Sequence, residues 1–266
     1  MNYQITVRFL RSITLFDNNM KLFIAMPCYQ GNCNVTCMES VMGTVLLCQA
    51  SNIKFKLFTL TSESLIPRAR NVCASAFMKS DCSHMLFVDA DIIFNPRDVL
   101  KMIRYDVDII AGAYLKKSLN FEKVKEHIGL SDSIESLIEK SGSYAVNPQP
   151  EHMNLLGETT LCKVHEAPTG FMMIKRCVFE EMKKSNIVSS YVNDISSYQK
   201  YTDGSCGTMW NYFPNCVINQ RLLSEDYGFC NIANECNINV FIDASVKLIH
   251  VGQFYYFGDP MKKVIS

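Results

Sequence analysis

Short apolar runs alternate along this chain with stretches whose apolar residues recur at helical spacing. Lys21-Leu22-Phe23-Ile24-Ala25-Met26-Pro27 is an apolar run halted by proline, after which Gly31 and Asn32 open a mostly apolar helical stretch to about Gln49. Ile53 to Leu60 alternates apolar with polar or mixed residues, the period of a strand near a sheet edge. From Pro67, the set Ala69, Val72, Cys73, Ala76 and Phe77 has the spacing of a helix with one buried stripe. Arg68, Arg70 and Asn71 then lie in its first turns.

Met85-Leu86-Phe87-Val88 predicts a third buried strand, closed by Asp89-Ala90-Asp91. Asn95 can cap a helix whose first residue is Pro96, whose third is Asp98, and which runs to about Arg104. Val107 to Gly112 reads as a fourth strand. This rhythm predicts an α/β fold, a Rossmann-like and mostly parallel central sheet flanked by helices.

Residues 113–160 break the rhythm with lysines, acids and an Asn147-Pro148-Gln149-Pro150 turn, around a helix near Asp132 to Lys140. A lid or acceptor-facing segment has this character. The core resumes with a strand at Gly170 to Ile174 and a helix from Arg176 to Lys184. After a polar stretch from Ser185 to Pro214, Ser224 can cap a helix carrying Glu225 and Asp226 in its first turn. Val240 to Ile242 and Val246 to Ile249 complete the strands, with His250 at an end. Without internal repeats, the simplest organisation is an arm or leader strand over 1–20 and a single domain over 21–266, with halves 21–112 and 113–266.

Composition narrows the chemistry. In 266 residues, lysine plus arginine equal aspartate plus glutamate at 26 each, and the pI is about 6.9. No global field then draws the chain to nucleic acid or anionic lipid, and any anion must be held locally. The twelve cysteines contain no CxxC and are spread through a chain too large to need staples, so reduced thiols are expected. No apolar run reaches the roughly 18 residues of a membrane span. Thiols and the missing anchor together point to a reducing, cytoplasmic location.

Asp89 and Asp91 stand where a buried strand ends, and ligands of open α/β sheets collect at that edge. Alternate residues of an extended segment project the same way, so both acids can address one ligand while Ala90 turns inward. Mn²⁺ and Mg²⁺ need only a few protein carboxylates when substrate phosphates and water complete the shell. Lys117, after a strand end, can neutralise a diphosphate. Gly170 lets the chain pass close to a ligand without a side chain in the way.

In this order the motifs resemble the GT-A glycosyltransferases, especially family 2-like enzymes and the small glycosyltransferase domains of large DNA viruses. The resemblance covers most of residues 21 to 251. It rests on Ile24-Ala25-Met26-Pro27-Cys28-Tyr29, Ile66-Pro67-Arg68-Ala69-Arg70-Asn71, Phe87-Val88-Asp89-Ala90-Asp91 and Gly112-Ala113-Tyr114-Leu115-Lys116-Lys117. It continues in Pro168 to Arg176, in Ser224-Glu225-Asp226-Tyr227-Gly228-Phe229-Cys230, and in His250.

The resemblance implies a nucleoside diphosphate sugar as donor, bound by the 21–112 half, and a glycan or glycoprotein acceptor bound by the 113–266 half. Pro27 and Tyr29 would lie beside the base, and Arg68, Arg70 and Asn71 would reach the nucleotide. Asp91 would bind the metal directly, Asp89 would contact the ribose or the metal's water shell, and His250 would be a second protein ligand. Glu225 and Asp226 match the acidic pair that holds the base of inverting members, with Asp226 as that base. Acids are also favoured in a first helical turn for electrostatic reasons alone. Inversion is the expected outcome and retention the alternative. Rival readings are sugar nucleotidyl transfer, against which the lack of a Gly-rich phosphate loop counts, and a non-catalytic carbohydrate-binding protein. The viral likeness would put such a chain in the cytoplasm of an infected host cell.

Overall fold

The first strand, β1 (Lys21–Cys28), is buried on both faces, with Leu22 through Met26 wholly inaccessible. Such a strand must lie inside a sheet covered on both sides. In the computed structural model, which describes residues 20–131, 133–148, 160–252 and 255–257, it does. Residues 1–19 of the expected arm, and Asp132, Gln149 and Pro150, lie outside the described residues.

In chain order the first elements are β1, α1 (Val35–Ala50), β2 (Lys54–Thr61), α2 (Ile66–Met78), β3 (His84–Val88), β4 (Ile92–Ile93), α3 (Pro96–Arg104) and β5 (Ile109–Ala111). The segment that breaks the rhythm holds α4 (Phe121–His127), α5 (Ile134–Ser141) and β6 (Asn147–Pro148). Next come β7 (Leu161–Glu166), β8 (Phe171–Lys175), α6 (Arg176–Lys184), β9 (Ser190–Val192), a 3-10 segment at Ser196–Tyr201, and β10 (Thr208–Trp210). The chain continues through β11 (Cys216–Ile218), β12 (Arg221–Leu223), α7 (Glu225–Glu235), β13 (Val240–Asp243), β14 (Ile249–Val251) and β15 (Tyr255–Phe257).

The central sheet has eight strands in the order β2-β1-β3-β8-β5-β13-β7-β6, ending on the two-residue β6. Pairing is parallel at β1–β2, β1–β3 and β5–β13, while β8 and β7 run against their neighbours. The sheet is therefore mostly parallel in strand direction, with two reversed members. Strand β8, from the second half of the chain, lies between β3 and β5 from the first, so both halves share one sheet.

Side-chain alternation along β1, β3 and β8 sorts the core into two layers. Phe23, Ala25, Phe87, Met172 and Ile174 face one way, against α2, α6 and α7. Leu22, Ile24, Leu86, Val88 and Met173 face the other, against α1 and α3. Helices thus flank both faces. All twelve cysteines are free. Among the described residues no helix is long and apolar enough to cross a membrane.

Several local expectations change. Helix α2 is buried on every side from Ala69 through Phe77 rather than along one stripe, because the segment around β10 covers the face away from the sheet. Pro27 does not stop β1, which continues to Cys28 because its parallel partner needs no bond from the missing N–H. Asn147 and Pro148 form an edge strand on β7 rather than a turn. Val246 lies wholly buried in a turn onto Asp243, which moves β14 to Ile249–Val251 and puts His250 at its centre.

Candidate functional site at the carboxyl edge of the sheet

Strand β3 ends at Val88, and the loop after it is fixed from several directions through its backbone. The Asp89 N–H donates to Gly170 O (2.8 Å), and Asp89 O accepts from the Ile92 N–H (3.0 Å). Ala90 O accepts from the Asn34 N–H (2.8 Å), and Asp91 O from the Val251 N–H (2.8 Å). The ends of β3 and β14, the start of β8 and the cap of α1 therefore position these two acids together. The loop is a turn, not an extended segment, so the acids do not project alike: Asp89 faces Arg70, and Asp91 faces Lys117 and His250.

Arg70, in the first turns of α2, is 2% exposed. Its Nη1 donates to Asp89 Oδ1 at 2.6 Å and its Nη2 to Oδ2 at 3.0 Å, the two-pronged fit of guanidinium to carboxylate. Its Nε lies 3.8 Å from Glu225 Oε1, and its plane lies over the Phe87 ring at 5.1 Å. Burial works against the charge, but Asp89 and Glu225 outweigh it and hold the guanidinium ionised. For Glu225 the balance differs. Burial raises its carboxyl above the usual range, Arg70 opposes, and the nearby Asp226 and Asp89 add to the rise.

Tyr114 was not singled out by the sequence, in which an aromatic after a strand resembles any core residue. Its buried hydroxyl accepts the Gly170 N–H at 3.2 Å, and its ring meets His250 edge-on at 4.9 Å. Burial, then Asp89, pushes the phenol well up, so it stays protonated. A methyl on Gly170 would lie 2.8 Å from Asp89 Oδ2 and closer still to Tyr114 Oη. The room that glycine leaves is taken by Tyr114 and Asp89.

His250 Nδ1 lies 2.8 Å from Leu115 O. A carbonyl only accepts, so Nδ1 carries the hydrogen and Nε2 presents a lone pair. That Nε2 is 3.7 Å from Asp91 Oδ1. Burial lowers the imidazole pKa against the pull of Leu115 O and Asp91, which keeps the ring neutral. Lys117 Nζ holds the other Asp91 oxygen. Among the described residues no three His, Cys, Asp or Glu side chains are grouped to hold a metal ion by themselves. Asp91 and His250 nevertheless fit as two ligands of an open site, since a backbone-anchored imidazole facing a carboxylate is a common metal-binding pair. Asp89, with both oxygens on Arg70, fits a place one shell out.

Asp226 begins α7. Its Oδ1 accepts from the Ser224 hydroxyl and from the Tyr227 N–H (2.9 Å). Ser224 precedes the helix as expected, but its hydroxyl goes to this carboxylate rather than to a backbone N–H. Bare Gly228 lets the helix start press against the carbonyl of Pro214.

The remaining candidates are spread out. Tyr29 is exposed in a 3-10 turn after β1, and Pro27 is half-buried within the strand. Arg68 turns from the acids to Glu63, with Nε–Oε2 2.7 Å and Nη2–Oε1 2.9 Å. Asn71 is buried, donating to Asn211 Oδ1 (2.9 Å) and accepting from the Phe213 N–H (3.1 Å). The structure thus gathers Arg70, Asp89, Asp91, Lys117, Gly170, Glu225, Asp226 and His250, and turns the side chains of Arg68 and Asn71 to other partners. No protein-family model matches the chain, and no curated protein matches it either.

Proposed function

We propose that this chain is a GT-A-type glycosyltransferase, moving a sugar from a nucleoside diphosphate sugar to an acceptor hydroxyl with inversion. The observation that carries the reading is the convergence at one sheet edge of an Arg70-bound Asp89, of Asp91 facing the lone pair of His250, and of the acidic start of α7. Asp91 and His250 are the residues that would hold Mn²⁺ or Mg²⁺, which when bound supplies Lewis-acid stabilisation to a leaving diphosphate.

The chain's own groups account for the rest. The acceptor oxygen bonds to the anomeric carbon as the bond from that carbon to the diphosphate oxygen breaks, and the acceptor proton passes to Asp226. Asp226 suits this because Ser224 and the Tyr227 N–H fix Oδ1, while Oδ2 carries no hydrogen bond from a described residue. Arg70 holds both oxygens of Asp89 in place. Lys117, already at this edge, adds positive charge where the diphosphate departs.

The test is turnover of a panel of uridine, guanosine and thymidine diphosphate sugars with Mn²⁺. Nucleoside diphosphate should appear, and Asp91→Ala or Asp226→Asn should slow it at least about a hundredfold, within the range general-base groups contribute. Release of pyrophosphate instead, or equal turnover in all three proteins, would overturn the assignment.

A further inference from the structure

Away from the acids, a cavity of about 390 Å³ opens between the outer strand β2 and the 3-10 segment. Its walls come from residues 58–64, the 195–201 segment and Arg68. No residue of β1, β3, α7 or the Asp89–Asp91 loop lines it. Its size falls within the ~300–1,000 Å³ common for small-molecule sites.

A built polar group stands in the wall. Glu63, 8% exposed, accepts from Arg68 Nε and Nη2, from the Leu65 N–H at 2.9 Å and from the Tyr198 hydroxyl at 3.1 Å. Its charge is cancelled by Arg68, and four hydrogen bonds lock it in place. Arg68 Nη1 bonds to no described residue, and a third of the side chain is exposed. Beside this pair the cavity is lined by Ser64 and Ser197, neither of whose hydroxyls bonds to a described residue, and by the outer edge of β2. The apolar part is aromatic, with Phe58 and Tyr201 edge to face at 5.5 Å.

A phosphate would find little here, because the guanidinium is already neutralised and Lys200 lies 5.0 Å over the Tyr201 ring. A neutral polyol finds the hydroxyls of Ser64 and Ser197, the donors of Arg68 and an aromatic wall for its C–H surface. We infer that this cavity is a second, saccharide-binding site on the outer edge of the sheet, separate from the acids. It stands whether or not the acids transfer a sugar, since no wall is shared.

Saturation-transfer NMR with glucose, galactose, mannose, N-acetylglucosamine, rhamnose, lactose and maltose tests it on the full chain. At least one of these should bind. Ser197→Trp or Ser64→Trp, each placing an indole at the cavity wall from an exposed position, should weaken that binding tenfold or more. Asp91→Asn should change it less than twofold, and uridine diphosphate should not displace the sugar. The site is refuted by no binding from the whole panel, or by binding indifferent to both tryptophans. Loss of binding in Asp91→Asn, or displacement by uridine diphosphate, refutes it too, because the sugar then belongs to the acidic edge.

Discussion

The guanidinium of Arg70 grips both carboxylate oxygens of Asp89, at 2.6 and 3.0 Å, and so ties the first turns of α2 to the end of β3. One partner is 3% and the other 27% exposed at the side chain, so each needs the other more than a surface pair would. Arg70→Met leaves Asp89 and Glu225 close together without their cation. It should cost about 3 kcal/mol, near the low end for breaking a buried pair because Asp89 reaches water. Arg70→Lys keeps charge but not the fork and should fall between. Urea unfolding reads both, and a midpoint for Arg70→Met equal to wild type would show the pair to be dispensable.

Gly170 owes its place to lack of space. Its absent Cβ would lie 2.8 Å from Asp89 Oδ2 and 2.9 Å from Tyr114 Cζ. Gly170→Ala should destabilise by about 1–3 kcal/mol, as overpacking does. Removing the hydroxyl with Tyr114→Phe should recover part of that loss in the double variant. Additive effects of the two substitutions in thermal unfolding would contradict this contact.

At the opposite edge of the sheet, burial and then Lys175 depress the His84 imidazole to about 4. The unfolded ring titrates near 6.5, so between those values the unfolded chain binds the extra proton. Stability should therefore fall as pH drops from about 6.5 to 4. His84→Gln should flatten that slope in melting temperatures taken across the range. An unchanged slope would assign the acid sensitivity to other groups.

Asp98 moves the other way. Burial first, with Asp243 adding and Lys101 opposing, raises it to about 6. Between the usual carboxylate value and 6 the folded chain binds more protons, so this residue makes stability decline as pH rises through that window. Asp98→Asn should melt increasingly above wild type from pH 4 to pH 7. A gap that shrinks instead would mean that the favourable charge at the start of α3 dominates.

If Asp91 and His250 are metal ligands, manganese bound with uridine diphosphate, followed by paramagnetic resonance, should weaken most in Asp91→Asn. His250→Gln should also lose affinity, and Asp89→Asn, an outer-shell change worth about 10–100-fold at most, should lose less than either because its oxygens are engaged by Arg70. Equal affinity in all four proteins would remove the cation from the scheme.

Some elements were legible because their signals are local. Helix α3 starts at Pro96, where the Asn95 side chain accepts the Arg97 N–H at 3.0 Å, and ends at Arg104 as its caps predict. Helix α6 spans Arg176–Lys184, as read from the chain. Strand β2, with its mixed alternation, does lie at the sheet edge. Others depend on partners distant in sequence. Helix α4 presents no buried residue, so no apolar period marks it. Val246 has the composition of a strand residue but fills a core turn.

The candidate site divides along the same line. Arg68 and Arg70 are two residues apart on one helix, and helical geometry sends them in different directions, one to Glu63 and the other to Asp89. Which arginine faces the acids depends on how α2 is rotated against the sheet, and no short-range pattern encodes that.

By itself the sequence determined the strand and helix rhythm, the location of the acids at a strand end and the start of α3, since each follows from apolar period or from capping within a few residues. Tertiary structure alone decided that β8 inserts antiparallel between β3 and β5, that Tyr114 and His250 meet beside Asp89 and Asp91, and that Arg70 rather than Arg68 completes the cluster. Those outcomes depend on close packing between segments far apart in the chain, where the cost of a buried unpaired charge selects one arrangement.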